Sequence, residues 1–446
     1  MTSSASGRQA TQRHSSKLRG RRAALATIGL VLLVAGCGSP SADRSRSERP
    51  AARPADTDLV YAADPAHGQV KVVGAAGRVL RTLPAGVPSP DWHTLYVAGG
   101  GADRTTVRAV DVASGRELRS TTIPGKFRLP VVGTAAIPDG LSGDGRTLAL
   151  VNVADLPVRR FAILPTDFSE RPQMVDLPGD FDFDALSPDG ARLFVVEHLA
   201  GPDRSAYRVR FYDRDAGKLD PNVIVDKRDA WETSMAGYPN TRVVEPGGDW
   251  VYTLYRNADN GPFVHALNAS DAYAFCIDLP RTGGGGGDGD RTARLWTLVR
   301  GATAGRLYAV NSALGLVSEI DAGREFTVLR SASFAPERPA GGAPGRPGSV
   351  VLGDGGDLLL VAGADGVTAI GTGSLKVQRR ILAGWAVDGL VASADGRRVY
   401  ALGSARGRVA AIDPASGTLL GERPVPTATF LLHSVPAGEL HAAPVG

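Results

Sequence analysis

From residue 58 onward the chain is a succession of short apolar, β-branched or aromatic-rich runs, each bounded by Gly, Pro, Asp or Asn. That pattern predicts strands and tight turns, and helical periodicity is hard to find. One compound unit recurs: a turn, an apolar run, a loop, then Val-x-x-apolar followed by a turn residue. The second half is the clearest marker. It reads VKVVG from Val70, VRAVD from Val107, VRRFA from Val158, VRFYD from Val209, VHALN from Val264, VSEID from Val317, VTAIG from Val367 and VAAID from Val409. The first half precedes each marker, as in SPDWHTLYVAG from Ser89, SGDGRTLALVN from Ser142, SPDGARLFVVE from Ser187 and SADGRRVYALG from Ser393.

The markers are 37 to 55 residues apart, with a mean of about 48. Short strands in units of this length, repeated around a closed ring, predict an all-β β-propeller with four strands per blade. Counting markers predicts eight blades, with seven as the rival count. Nothing before Asp58 supplies a first strand for the first blade. The C-terminal run TATFLLHSV, Thr427 to Val435, is therefore expected to return and complete it, which removes the free sheet edges. The Ser-Pro-Asp-Gly segments are expected to turn the chain between the first and second strands of a blade. Asp111, Asp213, Asp321 and Asp413, which end four markers, read as turn formers whose side chains bond the backbone just ahead.

The N-terminus has a different pattern. Arg8, Arg13, Lys17, Arg19, Arg21 and Arg22 form a basic start, and Ala23 to Ala35 is a run of thirteen residues that is apolar but for Thr27. This is the layout of an export signal, and the run is shorter than the roughly 20 residues that span a bilayer. Val34-Ala35-Gly36-Cys37 resembles the lipobox of bacterial lipoproteins. The resemblance implies cleavage before Cys37 and acylation of its thiol, palmitate-type chains included, so that membrane lipid anchors the protein on the outer face of the cell membrane. Arg21-Arg22 leaves both general and twin-arginine export open. Residues 38–57 are rich in Ser, Pro, Arg and Asp and read as a disordered tether. The expected organisation is a signal at 1–36, a lipidated N-terminus and tether at 37–57, a propeller at 58–436 and a tail at 437–446.

The propeller pattern resembles the YVTN-type family, related to lactonase-like and quinoprotein-like propellers. Ser89-Pro90-Asp91 followed by Leu95-Tyr96-Val97, then Val-Asp and Ala-Ser-Gly, carries the likeness. The Tyr-Val-Thr-Asn signature itself is absent, and no recurrent Gly-His and Trp-Asp pair points to WD40.

Charge narrows the partners. Six of the 50 Lys and Arg lie in residues 1–37, which contain no acidic residue, so the remainder carries 44 basic against 46 acidic side chains. The basic balance thus belongs to the signal, and nothing in it supports a nucleic-acid partner. With Cys37 acylated, Cys276 has no thiol with which to form an intrachain disulfide.

The candidate chemistry sits at the channel mouth. In GDFDFDALSPDG, Asp180, Asp182 and Asp184 alternate with Phe181 and Phe183, and strand alternation would set the three carboxylates on one face. Counting back from the following strand, Asp388, Trp296 and Asn240 take the place of Asp182 in other blades. Such an acidic rim could bind a divalent cation such as calcium through oxygen ligands, or could simply be solvated. His265 and Cys276 flank one predicted hairpin, but two ligands alone do not make a zinc site. There is no Gly-x-Ser-x-Gly elbow and no haem attachment motif, and the run RTGGGGGDGD lacks the Lys-Ser/Thr of a phosphate-binding loop.

The sequence therefore favours an anchored, monomeric extracytoplasmic propeller that binds an envelope protein or a small exported ligand, with no catalytic residue and no cofactor expected. The competing reading is an enzyme of lactonase or dehydrogenase type that uses a metal or cofactor at the channel mouth.

Overall fold

The computed structural model describes residues 58–133, 138–153, 157–201, 203–228, 233–257, 261–281, 295–336, 349–425, 427–428 and 430–436. Cys37, the export signal, the tether, the tail from 437 and most of the two Gly- and Pro-rich insertions lie outside them.

Eight antiparallel sheets, each of four strands running in sequence order from the inside of the ring outward, make the eight blades. Blade 4 adds a fifth short strand, Met235–Ala236, beside its third. The first blade is composite. Its inner strand is Phe430–Val435, which pairs antiparallel with Leu59–Asp64, so the C-terminal run closes the ring as its sequence predicts. The inner strands of blades 5, 6, 7, 8 and 1 then pack side by side in that order.

Apolar residues occupy both faces of most strands because each blade is covered on both sides by its neighbours. In the second strand of blade 3, Thr147–Asn152, Leu148 and Leu150 pack with blade 2 residues such as Tyr96 and Ile123. Ala149 and Val151 instead pack with Phe183 and Val195 of blade 4. The period of two along a strand thus sends alternate side chains to opposite neighbours. Among the described residues each gap between adjacent blades holds its own core cluster.

The repeated turns share one hydrogen-bond scheme. Ser89, Ser142, Ser187 and Ser393 donate through Oγ to the Asp two residues on, at 2.5, 2.6, 2.6 and 2.7 Å. The same Oγ accepts the backbone N–H five residues on, at 2.9 to 3.0 Å. Asp111, Asp213, Asp321 and Asp413 accept backbone N–H groups of the turns that follow them. Their carboxylates are consumed in turn formation.

A buried knot locks the seam between blades 8 and 1. Asp58, 2% exposed, accepts from Arg398 Nη1 at 3.1 Å and from the Tyr400 hydroxyl at 2.7 Å. Its carbonyl also accepts from the buried Arg423 at 2.7 Å. Thr427, just before the closing strand, donates to Asp64 at 2.7 Å. The first strand is therefore tied to blade 8 by the Asp58–Arg398 ion pair and to the closing segment by the Thr427 hydrogen bond and the shared sheet.

Candidate ligand site in the channel

The inner strands carry the residues that the sequence singles out, but their registers differ. Asp182 lies opposite Val196, four residues after Arg192, the first residue of the second strand. The same place is taken by Thr241 opposite Leu254 in blade 5 and Thr297 opposite Val310 in blade 6 and, counting from Arg398, which follows its turn as Arg192 does, by Gly389 opposite Leu402 in blade 8. Asn240, Trp296 and Asp388 each fall one residue earlier. The cause is a β-bulge between Phe183 and Ala185, which adds one residue, Asp184, to the inner strand of blade 4. Counting ten residues back from the second strand transfers that extra residue to blades that lack it there. A slip of one exchanges faces.

The consequences differ from residue to residue. Trp296 is fully buried in the core between blades 5 and 6. Asn240, also fully buried, donates through Nδ2 to the Trp296 carbonyl at 2.7 Å and latches those blades together. Asp388 accepts the Ser404 backbone N–H at 2.6 Å. Asp182 belongs to an ion network: its Oδ2 lies 2.9 Å from His198 Nε2 and 3.1 Å from Arg204 Nη2, and Arg159 stands 3.7 Å from Oδ1. Burial works to raise the Asp182 carboxyl, but the His198 hydrogen bond and the charges of Arg204, His198 and Arg159 outweigh it and hold it below the ordinary carboxylate value. Asp180 pairs with Arg204 through two hydrogen bonds at 2.6 and 2.7 Å.

The bulge also separates Asp184 from its two neighbours. Asp184, 2% exposed, pairs with Arg242 of blade 5. The expected triad of carboxylates is thus divided between two networks. Blades 4 and 8 stand opposite each other in a ring of eight, so Asp182 and Asp388 cannot share an ion. Among the described residues no three His, Cys, Asp or Glu side chains come together as a metal site would need.

Arg242 is the residue that sequence reasoning missed. It projects from the inner strand Tyr238–Val244 and is only 8% exposed. It donates to Asp139 at 3.2 Å, to Thr253 at 3.1 Å, and to both the carboxylate and the carbonyl of Asp184. An arginine in a strand otherwise bound for the channel wall was the available signal.

Arg242 borders two cavities at the end of the channel that carries the Ser-x-Asp-Gly turns. The larger, about 1310 Å³, lies against blades 5 to 8 and the closing strand, with Val243, Leu298, Val350, Val391 and Leu432 in its walls. Arg300 lies 3.9 Å from Glu245 there, and Glu245 also accepts the Gly305 N–H at 3.1 Å. The smaller cavity, about 310 Å³, lies towards blades 2 to 4. Between them the turns of blades 3 and 5 come into backbone contact: a Cβ on Gly143 would sit 1.9 Å from the Gly247 carbonyl oxygen. Only glycine permits that approach, and it leaves the wide cavity off-centre.

No family model matches the chain, and no curated protein matches it in sequence. Solved structures do match. Dihydro-heme d1 dehydrogenase NirN in complex with DHE superposes with a TM-score of 0.54 at 15% identity, over 88% of this chain and 78% of that one. Apo AztD from Citrobacter koseri gives 0.52 at 15% identity, over 85% and 97%. The Pseudomonas aeruginosa periplasmic gluconolactonase, at 0.38, 19% identity and 76% and 98% coverage, is more distant. The neighbours are lactonase-like and NirN- or AztD-type β-propellers, and the likeness is one of fold.

Proposed function

We propose that this chain is a lipid-anchored extracytoplasmic binding protein whose propeller holds a small, uncharged, amphiphilic ligand in the channel between blades 5 and 8, without chemistry of its own. The observation that carries this reading is the 1310 Å³ cavity whose walls are more apolar than polar, with Val243, Leu298, Val350, Val391 and Leu432 among them. Its arginines are answered by carboxylates, Arg242 by Asp184 and Asp139 and Arg300 by Glu245, while Asp249 and Asp395 add negative charge at its wall. Such a lining favours apolar contact with a few polar fixing points and disfavours a polyanion.

The anchor rests on Val34-Ala35-Gly36-Cys37 behind a basic and apolar leader. Two or more acyl chains, at about 0.8 kcal/mol per buried CH₂, hold a protein stably where one does not. The twenty residues 38–57 would reach roughly 25 Å as a flexible coil, enough to keep a channel mouth clear of the headgroups. The enzymatic reading has less support, because Asp182 and Asp388 stand apart and the Asp182 carboxylate and Asp388 Oδ2 are already engaged.

Cells carrying a photo-crosslinking amino acid in place of Val391, on the cavity wall, test both parts. The expected product is a low-mass adduct on a chain that fractionates with the membrane and takes up an alkyne fatty acid, with the fatty-acid label lost in Cys37→Ala. A protein conjugate from Val391 would overturn the ligand class, and label retained by Cys37→Ala would overturn the anchor.

A further inference from the structure

Independently of that reading, we propose that Cys276, His265 and Met235 form a binding site for a soft monovalent cation, Cu(I), in the wall between blades 4 and 5. Cys276 Sγ lies 3.8 Å from His265 Nδ1 and 4.0 Å from Met235 Sδ. A cation in one plane with two sulfurs at about 2.3 Å and a nitrogen at about 2.0 Å would space nitrogen from sulfur by about 3.7 Å and sulfur from sulfur by about 4.0 Å. Cys276 Sγ already stands at those separations from the other two donors.

The fold holds each donor from a different direction. His265 and Cys276 face each other across the third and fourth strands of blade 5. Met235 arrives from blade 4, whose fourth strand is only Lys218–Leu219. The chain there leaves the blade, bridges Asp226 to Ala274 of blade 5, and returns as Met235–Ala236. Asp226 accepts the Cys276 backbone N–H at 3.0 Å and is itself paired with Arg228 at 2.7 Å, so the excursion is fixed beside the thiol. Tyr207, Tyr255 and Phe263 form the apolar surroundings.

Two features favour Cu(I). Thiolate and thioether donors select it over harder cations. One thiolate and one monovalent cation make a neutral pair, whereas a divalent ion would leave net charge in an apolar wall. His265 is 1% exposed and would bind through Nδ1, the nitrogen nearest Cys276 Sγ. On binding, the Cys276 thiol releases its proton to solvent and its sulfur bonds the cation, with no change of oxidation state. Cys276 is half-buried, which leaves the cation a route in from the outer side of the blade.

The test is anaerobic Cu(I) titration of the full chain carrying Cys37→Ala, against a chromophoric Cu(I) chelator, followed by X-ray absorption at the copper edge. The expected result is one equivalent withdrawn from the chelator, with two sulfurs and one nitrogen around copper. Cys276→Ser should abolish it, and Met235→Leu, which keeps the volume and removes the thioether, should weaken it by at least about tenfold. No copper retained, an equivalent that survives Cys276→Ser, unchanged affinity in Met235→Leu, or preferential retention of Zn(II) would each overturn the proposal.

Discussion

Arg242→Met offers the sharpest test of how the channel wall is held. The guanidinium is 8% exposed and the Asp184 carboxylate 3%, so the substitution leaves a carboxylate buried without its counter-charge. Breaking a buried pair on one side costs about 3–5 kcal/mol. For a ring of about 380 residues the unfolding entropy near the melting temperature is about 0.8 kcal/mol/K, so the loss corresponds to a fall of about 4–6 °C. Asp139 is 32% exposed and can be solvated once its partner is gone, so Asp184 dominates the cost. Adding Asp184→Leu removes the stranded charge, and the double variant should recover most of the loss. Differential scanning calorimetry of the three proteins checks this. A single variant within about 1 °C of wild type, or a double variant that melts below the single one, would refute the argument that Asp184 depends on Arg242.

The blade 8 to blade 1 seam should fail first when its knot is cut: Asp58→Ala removes the acceptor of Arg398 and Tyr400 and should cost about 2–4 kcal/mol. Hydrogen exchange should then quicken first in residues 59–64 and 430–435, and uniform acceleration around the ring would contradict the seam's role. Burial lowers the pKa of both His265 and His433 to about 4, so the unfolded chain takes up their protons at a higher pH than the folded one. Stability should be full above about pH 6.5 and fall between pH 6.5 and pH 4, by up to about 3 kcal/mol for His265; urea melts of chelator-treated protein check this, and a flat profile would refute it. Ser187→Ala removes an Oγ that both donates to Asp189 and accepts from Arg192; a loss of about 1 kcal/mol is expected in the same urea assay, and no loss would show that the shared turn scheme does not stabilise the blades.

Much of the architecture was legible because each blade repeats the same physical problem. A strand covered on both faces must be apolar at consecutive positions, and the turn between strands must satisfy its own backbone, which Ser-x-Asp does through side-chain oxygens. The closing strand was legible for the complementary reason, since TATFLLHSV had no other sheet to join. The site was less so. The bulge at Asp184 has no composition of its own, and one inserted residue placed Asn240, Trp296 and Asp388 where Thr241, Thr297 and Gly389 belong. Met235 lies 41 residues from Cys276 in sequence, and only an excursion that replaces most of a missing outer strand brings them together. Arg242 and Asp184 are 58 residues apart, joined by a blade interface that no local pattern announces.

The central claim, a small ligand in the off-centre channel, is met most directly by native mass spectrometry of the full chain released from membranes in mild detergent, with Val391→Trp filling the cavity wall in parallel. The account predicts a low-mass adduct on the wild type that is missing from Val391→Trp while both proteins remain folded. An adduct of equal abundance on both, or none on either, would contradict it.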